Sequence, residues 1–306
     1  MKAFVTGGTG FVGQWLVAHL LDAGDEVVVA DKELEITDEA AVRAAIGDAH
    51  PDAVYHLAAQ AHVGESWEAP LRTFSINAGG TLCVLEAARA LRPLPSVVLL
   101  SSAEAYGVVD PARLPVGEDT PLRPVTPYAA SKAAAELLGL QAALGSKLPV
   151  VRVRQFNMIG PGQSPSFLVA ALAQRLARAE RDGADHIMVG NLSPRRDFVD
   201  VRDAVRAYRL LAERGEPGEV YNVCTGNDIA AEDIAHRLME LVGLDLRLVT
   251  DPALARPVDV PRMLGDPARL RAATGWSPVM GLDETLRDVL AYWRHAVATE
   301  APVASD

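Results

Sequence analysis

Tyr128 and Lys132 frame the run Tyr128-Ala129-Ala130-Ser131-Lys132, and a spacing of four puts both side chains on one face of a helix. A free tyrosine, with a pKa of about 10, is a poor acid–base group near neutrality; a neighbouring ammonium favours the phenolate and is expected to lower that value. Upstream, Leu99-Leu100-Ser101-Ser102-Ala103-Glu104-Ala105-Tyr106-Gly107 reads as a buried strand that ends in hydroxyls. Ser102 is therefore expected to bind a substrate oxygen that Tyr128 protonates, and Glu104 is a candidate base. The plainer reading makes Tyr128 and Lys132 an ordinary helix face and Glu104 a structural hydrogen-bonding group.

A second constellation lies at the start of the chain. A strand at Lys2–Thr6 runs into Thr6-Gly7-Gly8-Thr9-Gly10-Phe11-Val12-Gly13 and then into a helix over Phe11–Asp22. Gly8, Gly10 and Gly13 fit G-x-G-x-x-G; Gly7, Gly10 and Gly13 fit G-x-x-G-x-x-G. A tight turn, close approach of the backbone to a pyrophosphate and close helix–strand packing each exclude a Cβ. Phe11 and Val12 are expected to offer backbone N–H groups to phosphate at the helix N-terminus. Asp31 follows the next strand, 18 residues past Gly13, at the place of a ribose-binding acid. Its carboxylate repels a 2′-phosphate, which favours NAD(H); Lys32, directly after it, keeps NADP(H) open. With a dinucleotide in place, Lys132 gains a second task, holding the nicotinamide ribose.

These residues need elements to position them. Strands are predicted at Lys2–Thr6, Glu26–Ala30, Ala53–Leu57, Val97–Ser101 and Pro149–Val153, with Ala/Leu-rich helices near Thr73–Leu91 and Tyr128–Leu144. Alternation of this kind predicts an α/β fold: a Rossmann-like, doubly wound parallel sheet with helices on both faces. After Asn157 the pattern changes. Gly160-Pro161-Gly162 interrupts it, a basic helix follows at Phe167–Arg181, and the last helix is about Leu282–Val297. Tyr221–Val223 is expected to return to the main sheet. The division that results is a dinucleotide-binding domain at 1–155 plus about 198–224, and a smaller mixed α/β substrate domain at about 156–197 plus 225–306. Ala301–Asp306 are expected to be disordered.

Bulk properties narrow the classes. The chain has 306 residues, 49% hydrophobic and 23% charged, as soluble globular proteins do. A net charge of −11 argues against nucleic acid as a partner, though not against a small anion met by local positive charge. Cys83 and Cys224 offer neither a disulfide framework nor metal-ligand spacing, and they place the chain in a reducing compartment, the cytoplasm. The first residues read as a strand and not as a signal peptide. No apolar run reaches the roughly 20 residues of a membrane helix.

Ordered motifs along nearly the whole chain resemble those of the extended short-chain dehydrogenase/reductases. They are Thr6–Gly13, His56-Leu57-Ala58-Ala59-Gln60, Ser101–Gly107, Tyr128–Lys132 and Arg154-Gln155-Phe156-Asn157. The resemblance implies that Leu57, Ala58 and Ala59 line the cofactor cleft, that Asn77 lies near it, and that Asn157 reaches a nucleotide-linked sugar. Phe156–Gln163, Val189–Leu192, Arg196–Asp203, Tyr221–Cys224 and Thr274–Trp276 are similar to the GDP-6-deoxy-D-mannose reductases. Ala58–Gly64 and Glu104 are similar to the neighbouring GDP-mannose 4,6-dehydratases.

Two arginines, Arg196 and Arg256, stand where similar enzymes contact the diphosphate, and a planar bidentate donor suits that task. Ion pairs with Asp197 and Asp259 are their structural alternative. Ala103 takes the place of a polar residue in the dehydratases, Met158 that of a histidine in many reductases, and Glu35 that of an aspartate near adenine. Elimination across two carbons needs both an acid and a base, and Ala103 can be neither. The resemblance therefore implies simple NAD(P)H-dependent reduction of a 4-keto-6-deoxy sugar, GDP-4-keto-6-deoxy-D-mannose to GDP-D-rhamnose. A 4,6-dehydratase or a 4-epimerase with tightly held NAD stays open, as does a dinucleotide-binding redox sensor without catalysis. It also implies a homodimer built on the two long helices.

Overall fold

The first strand, β1 (Lys2–Thr6), passes through the glycine turn into α1 (Phe11–Asp22), and β2 (Glu26–Ala30) returns parallel to β1. The structure, a computed structural model, describes residues 1–254 and 260–299. Helix α2 (Glu39–Ala49) starts where the Asp38 carboxylate accepts from the Ala41 amide, a side-chain cap that satisfies one of the orphan donors of the first turn. It crosses back over β1 to β3 (Ala53–His56), so the chain changes direction in the sheet between β1 and β3. Ligands in open α/β sheets gather at the carboxyl ends of strands at such a switch point.

Short helices α3 (Val63–Glu68) and α4 (Pro70–Phe74) follow, then a π-helical turn at Ser75–Gly79 and helix α5 (Gly80–Arg89). The single helix predicted at Thr73–Leu91 is thus interrupted. The wider turn carries Asn77 inward, where its side chain is held from both sides. Strand β4 (Ser96–Ser102) leads to the long α6 (Pro127–Ser146), whose start is set by Thr126 capping the Ala129 amide and by Pro127 in the first turn.

Strands β5 (Val150–Gln155) and β9 (Val220–Val223) complete a six-stranded parallel sheet in the order β2-β1-β3-β4-β5-β9. Tyr221–Val223 does return to the main sheet, paired with β5. Alternate residues feed opposite cores. Ala3, Val5, Tyr55 and Val98 pack with α1 and with α8 (Val201–Arg214). Phe4, Val54, Val97 and Leu99 pack with α2, α5 and α6.

Between β5 and β9 the chain leaves the main sheet. It makes β6 (Asn157–Ile159), α7 (Leu168–Asp182), β7 (His186–Val189) and β8 (Arg195–Asp200). After β9 come β10 (Asp228–Ala230), α9 (Ala231–Val242), β11 (Arg247–Thr250), β12 (Arg262–Met263), α10 (Ala268–Thr274) and α11 (Leu282–Ala298). Strand β8 is the hub: β6, β10 and β12 all pair with it, while β7 pairs with β11. A separate core of Leu172, Leu176, Ile234, Leu238, Leu286 and Leu290 joins α7, α9 and α11.

Candidate active site

The glycine turn is shaped by its neighbours. Gly7 has φ +69°, and a Cβ on it would lie 3.0 Å from the Ala58 amide nitrogen. A Cβ on Gly13 would lie 2.1 Å from the Gly7 carbonyl oxygen, so α1 and the turn can meet only through glycine. Gly10 precedes α1 without a side-chain cap, and the first-turn amides of Phe11 and Val12 face the turn as an anion site requires. Asp31, just past β2, accepts from the Thr9 amide at 3.0 Å, which brings the acid to the glycine loop; Lys32 beside it is exposed. Leu57, Ala58 and Ala59 follow β3 half-exposed, facing the same end of the sheet. This set fits a dinucleotide: bare backbone for a pyrophosphate, helix amides toward it, and a carboxylate for ribose.

Ser102 ends β4, and its hydroxyl accepts from the Glu104 amide at 3.2 Å. Tyr128, in the first turn of α6, stands close enough to the Ser102 hydroxyl for that group to favour its charged form, while the Glu104 carboxylate acts on it electrostatically. Burial pushes the Tyr128 phenol up to about 12; the Ser102 hydrogen bond opposes the rise and Glu104 adds to it. This overturns the expectation that Lys132 lowers the value. Burial disfavours phenolate more than the surrounding groups favour it, and the charge that acts on the ring is negative. Burial also pulls the Lys132 ammonium down to about 8, with the Glu136 carboxylate resisting. Tyr128 is therefore a protonated phenol at neutral pH.

Glu136 is the residue that reading Tyr128 and Lys132 alone missed. It continues their face of α6 at the same spacing, which was the available signal. It is 2% exposed at its side chain and bound by Arg154 at 2.6 Å and Arg152 at 3.4 Å, both from β5. Arg154 also donates to Tyr106 Oη, which donates to Asn222 on β9. Helix α6 is thereby fastened to the sheet next to Lys132.

A model of the GDP-mannose 4,6-dehydratase family matches residues 4–289. The chain is 37% identical to a GDP-6-deoxy-D-mannose reductase of Pseudomonas aeruginosa, over 98% of this chain and 99% of that one. The chain belongs to the GDP-mannose 4,6-dehydratase family. Among solved structures it resembles RMD from Pseudomonas aeruginosa complexed with NADPH, with a TM-score of 0.87 and 37% identity over 96% of this chain and 99% of that one. It also resembles the UDP-glucose 4-epimerase of Thermotoga maritima with UDP-glucose, with a TM-score of 0.90 and 29% identity over 97% and 100%.

In this family member Asn77 is buried, and both ends of its amide are engaged by the protein. It accepts from the Gln60 amide at 2.8 Å and donates to the Gln60 carbonyl at 3.0 Å and to Ser131 Oγ at 2.9 Å. Asn77 therefore braces the cleft wall against α6. His62 caps α3 by accepting from the Glu65 amide, a local structural role. Asn157 opens β6 and is exposed. Met158 contacts the buried Tyr208 hydroxyl through its sulfur at 3.6 Å. Glu35 binds Thr37 and is exposed.

Arg196 lies on β8, in register with Ile229 and Met263 and buried. The simple ion pair with Asp197 does not form: successive strand residues point to opposite faces, and Asp197 accepts instead from Thr225 and Gly226. Arg195 and Arg262 share the Asp228 carboxylate at 2.9 and 2.7 Å. Burial pushes Asp228 up, but hydrogen bonds from both arginines outweigh it and hold the carboxyl below its ordinary range. Arg256 and Ala301–Asp306 lie outside the described residues.

Proposed function

We propose that this enzyme reduces the 4-keto group of a nucleotide-linked 4-keto-6-deoxy sugar, converting GDP-4-keto-6-deoxy-D-mannose to GDP-D-rhamnose with NADH or NADPH. The observation that carries this reading is the placing of Tyr128 and the buried Lys132 on the first turns of α6, with the Tyr128 phenol kept protonated by burial close to Ser102. A reduction needs a proton delivered to oxygen, and a protonated phenol supplies one; an oxidation-first reaction needs the phenolate. The similarity to a reductase and to an NADPH-bound structure supports the same reading. Ser102 and Tyr128 hold the sugar's C4 oxygen, and Tyr128 passes its proton to that oxygen as it gains an electron pair. When bound, the reduced nicotinamide supplies the hydride. Lys132 holds the cofactor ribose, Asp31 its adenine-side ribose, and Asn157, Arg196 and Arg256 the nucleotide-sugar. The first domain, 1–155 with about 198–224, carries the cofactor, and the remainder carries the substrate.

A 4,6-dehydratase is the second reading, and Glu104 beside Tyr128 favours it. Ala103, buried and methyl-ended, weighs against it because no acid stands there for the elimination. The deciding experiment is absorbance at 340 nm with GDP-4-keto-6-deoxy-D-mannose and each reduced cofactor. One sugar reduced per cofactor consumed supports the reductase; turnover of GDP-mannose without net consumption, by protein purified with NAD, refutes it.

Leu71 and Phe74 on α4, Leu82 on α5, and Leu137 and Leu144 on α6 are all exposed, an apolar helical face suited to a homodimer. Among the described residues no helix is long and apolar enough to cross a membrane. Both cysteines are free, as cytoplasmic residence would keep them.

A further inference from the structure

At the switch point of the main sheet Thr6 closes β1, His56 closes β3, and the two residues are register partners. Their side chains meet as well. Thr6 Oγ1 lies 2.9 Å from His56 Nδ1, and Thr81 Oγ1 lies 3.1 Å from His56 Nε2. The surrounding bonds assign every proton in this chain. Thr6 Oγ1 accepts from the Leu57 amide at 3.2 Å and the Ala58 amide at 3.1 Å, so its two lone pairs are taken and its own proton goes to His56 Nδ1. The Thr81 hydroxyl donates to the Asn77 carbonyl at 2.6 Å, so it can only accept from His56. His56 is therefore the neutral tautomer with its proton on Nε2. An imidazolium would aim Nδ1–H at an oxygen with no lone pair left. Burial, with the Lys132 charge adding to it, depresses the imidazole to about 3, in agreement with the bonding.

The chain of bonds continues beyond Thr81. The Asn77 carbonyl that receives Thr81 belongs to the residue whose amide grips Gln60 and Ser131. Ser131 in turn donates to the Tyr128 carbonyl at 2.7 Å and sits next to Lys132. Ala58, anchored by Thr6, is also the residue against which Gly7 packs. One imidazole thus connects the strand feeding the glycine loop, the wall at Leu57 and Ala58, the π-helical turn and the first turns of α6.

We propose that His56 is a positioning residue for the dinucleotide cleft, a fixed neutral donor–acceptor that holds the glycine-loop strand and the Ala58 wall in register with the helix bearing Tyr128 and Lys132. This rests on the reading of the cleft as a dinucleotide site. A phenyl ring in place of the imidazole would fill the space but leave the Thr6 hydroxyl without an acceptor and Thr81 without a donor, both buried.

The test uses the full chain and three variants: His56→Phe, Thr81→Val and Thr81→Ser. The dissociation constants of NADH and NADPH are measured by fluorescence well below each thermal midpoint, with cofactor KM and kcat alongside. Wild-type protein that binds neither dinucleotide refutes the cleft reading itself, and the inference with it. Given wild-type binding, His56→Phe and Thr81→Val are expected to weaken it roughly tenfold, and Thr81→Ser to restore it. Thr81→Val keeps the imidazole and carries the test if His56→Phe does not fold. Unchanged affinity in Thr81→Val, or equal weakening in Thr81→Val and Thr81→Ser, overturns the proposal.

Discussion

The cofactor end of the cleft draws on strand–helix units consecutive in sequence, with Gly7–Gly13, Asp31, Leu57–Ala59 and Ser102 each at the carboxyl end of the next strand along the chain. The second region, which we assign to the substrate, is assembled differently. It gathers around β8 from β6, β10 and β12, segments spread between residues 157 and 263 that meet only through long-range pairing. At the first end, a continuous run of hydrogen bonds links the elements, from Thr6 through His56, Thr81 and Asn77 to Ser131 on α6. At the second, positive groups are grouped by one acid, Asp228, between Arg195 and Arg262. Rigid geometry suits hydride and proton transfer, where small displacements are costly; on β8 the Asp228 pairs fix one face of the strand, and the opposite face carries Arg196, the guanidinium we assign to an anionic substrate.

The comparison can be broken at either end, most severely at the acid itself. Tyr128→Phe is expected to lower kcat by about a thousandfold or more while cofactor still binds, since it removes the proton donor and nothing from the glycine loop. Steady-state rates with a cofactor titration check this, and substantial retained turnover would remove Tyr128 from its role.

The next effect concerns stability. Glu136→Ala leaves Arg154 and Arg152 buried without their carboxylate and is expected to cost about 3–5 kcal/mol, read from denaturant unfolding. A loss below about 1 kcal/mol, the range of surface ion pairs, would mean that the triad does not fasten α6.

At the second region, Arg196→Ala is expected to raise the KM for nucleotide-sugar roughly tenfold with little change in cofactor KM, because it removes the guanidinium proposed to meet the diphosphate. An equal change in both constants would erase the distinction between the two ends.

The smallest effect is a pH dependence. Lys132 is charged below its depressed value of about 8, so kcat/KM for cofactor should fall as pH rises through that point, about tenfold per unit above it. The sign for stability is the reverse: unfolded Lys132 binds a proton that folded Lys132 has lost, so between about 8 and the ordinary lysine value stability gains with rising pH. Lys132→Met should abolish the alkaline limb; its persistence would assign the limb elsewhere.

Much of this was legible in the residues. The strand–glycine–helix passage, the Asp31 spacing and the Tyr128–Lys132 interval are local patterns, and local geometry decides them. Less legible was the interruption of the helix at Ser75–Gly79, because Ala- and Leu-rich spacing fits an α-helix and does not register a turn widened to seat one buried amide. The Tyr128 pKa was read from its neighbour in sequence, while the depth of its burial decided the direction. For Arg196, an ion pair with its sequence neighbour Asp197 was the structural alternative to a diphosphate contact; the alternation of a strand turns Asp197 to the other face.

The sequence by itself determined the α/β alternation, the glycine turn and the four-residue interval that puts Tyr128 and Lys132 on one helix face, because each rests on spacing within one or two elements. Tertiary structure alone decided that Glu136 anchors α6, that Asn77 serves as a brace and that His56 is neutral with its proton on Nε2. Those properties depend on which groups from residues 6, 56, 81, 136 and 154 meet in the interior. Hydrogen-bond capacity and desolvation are settled by three-dimensional neighbours, and no periodicity along the chain encodes them.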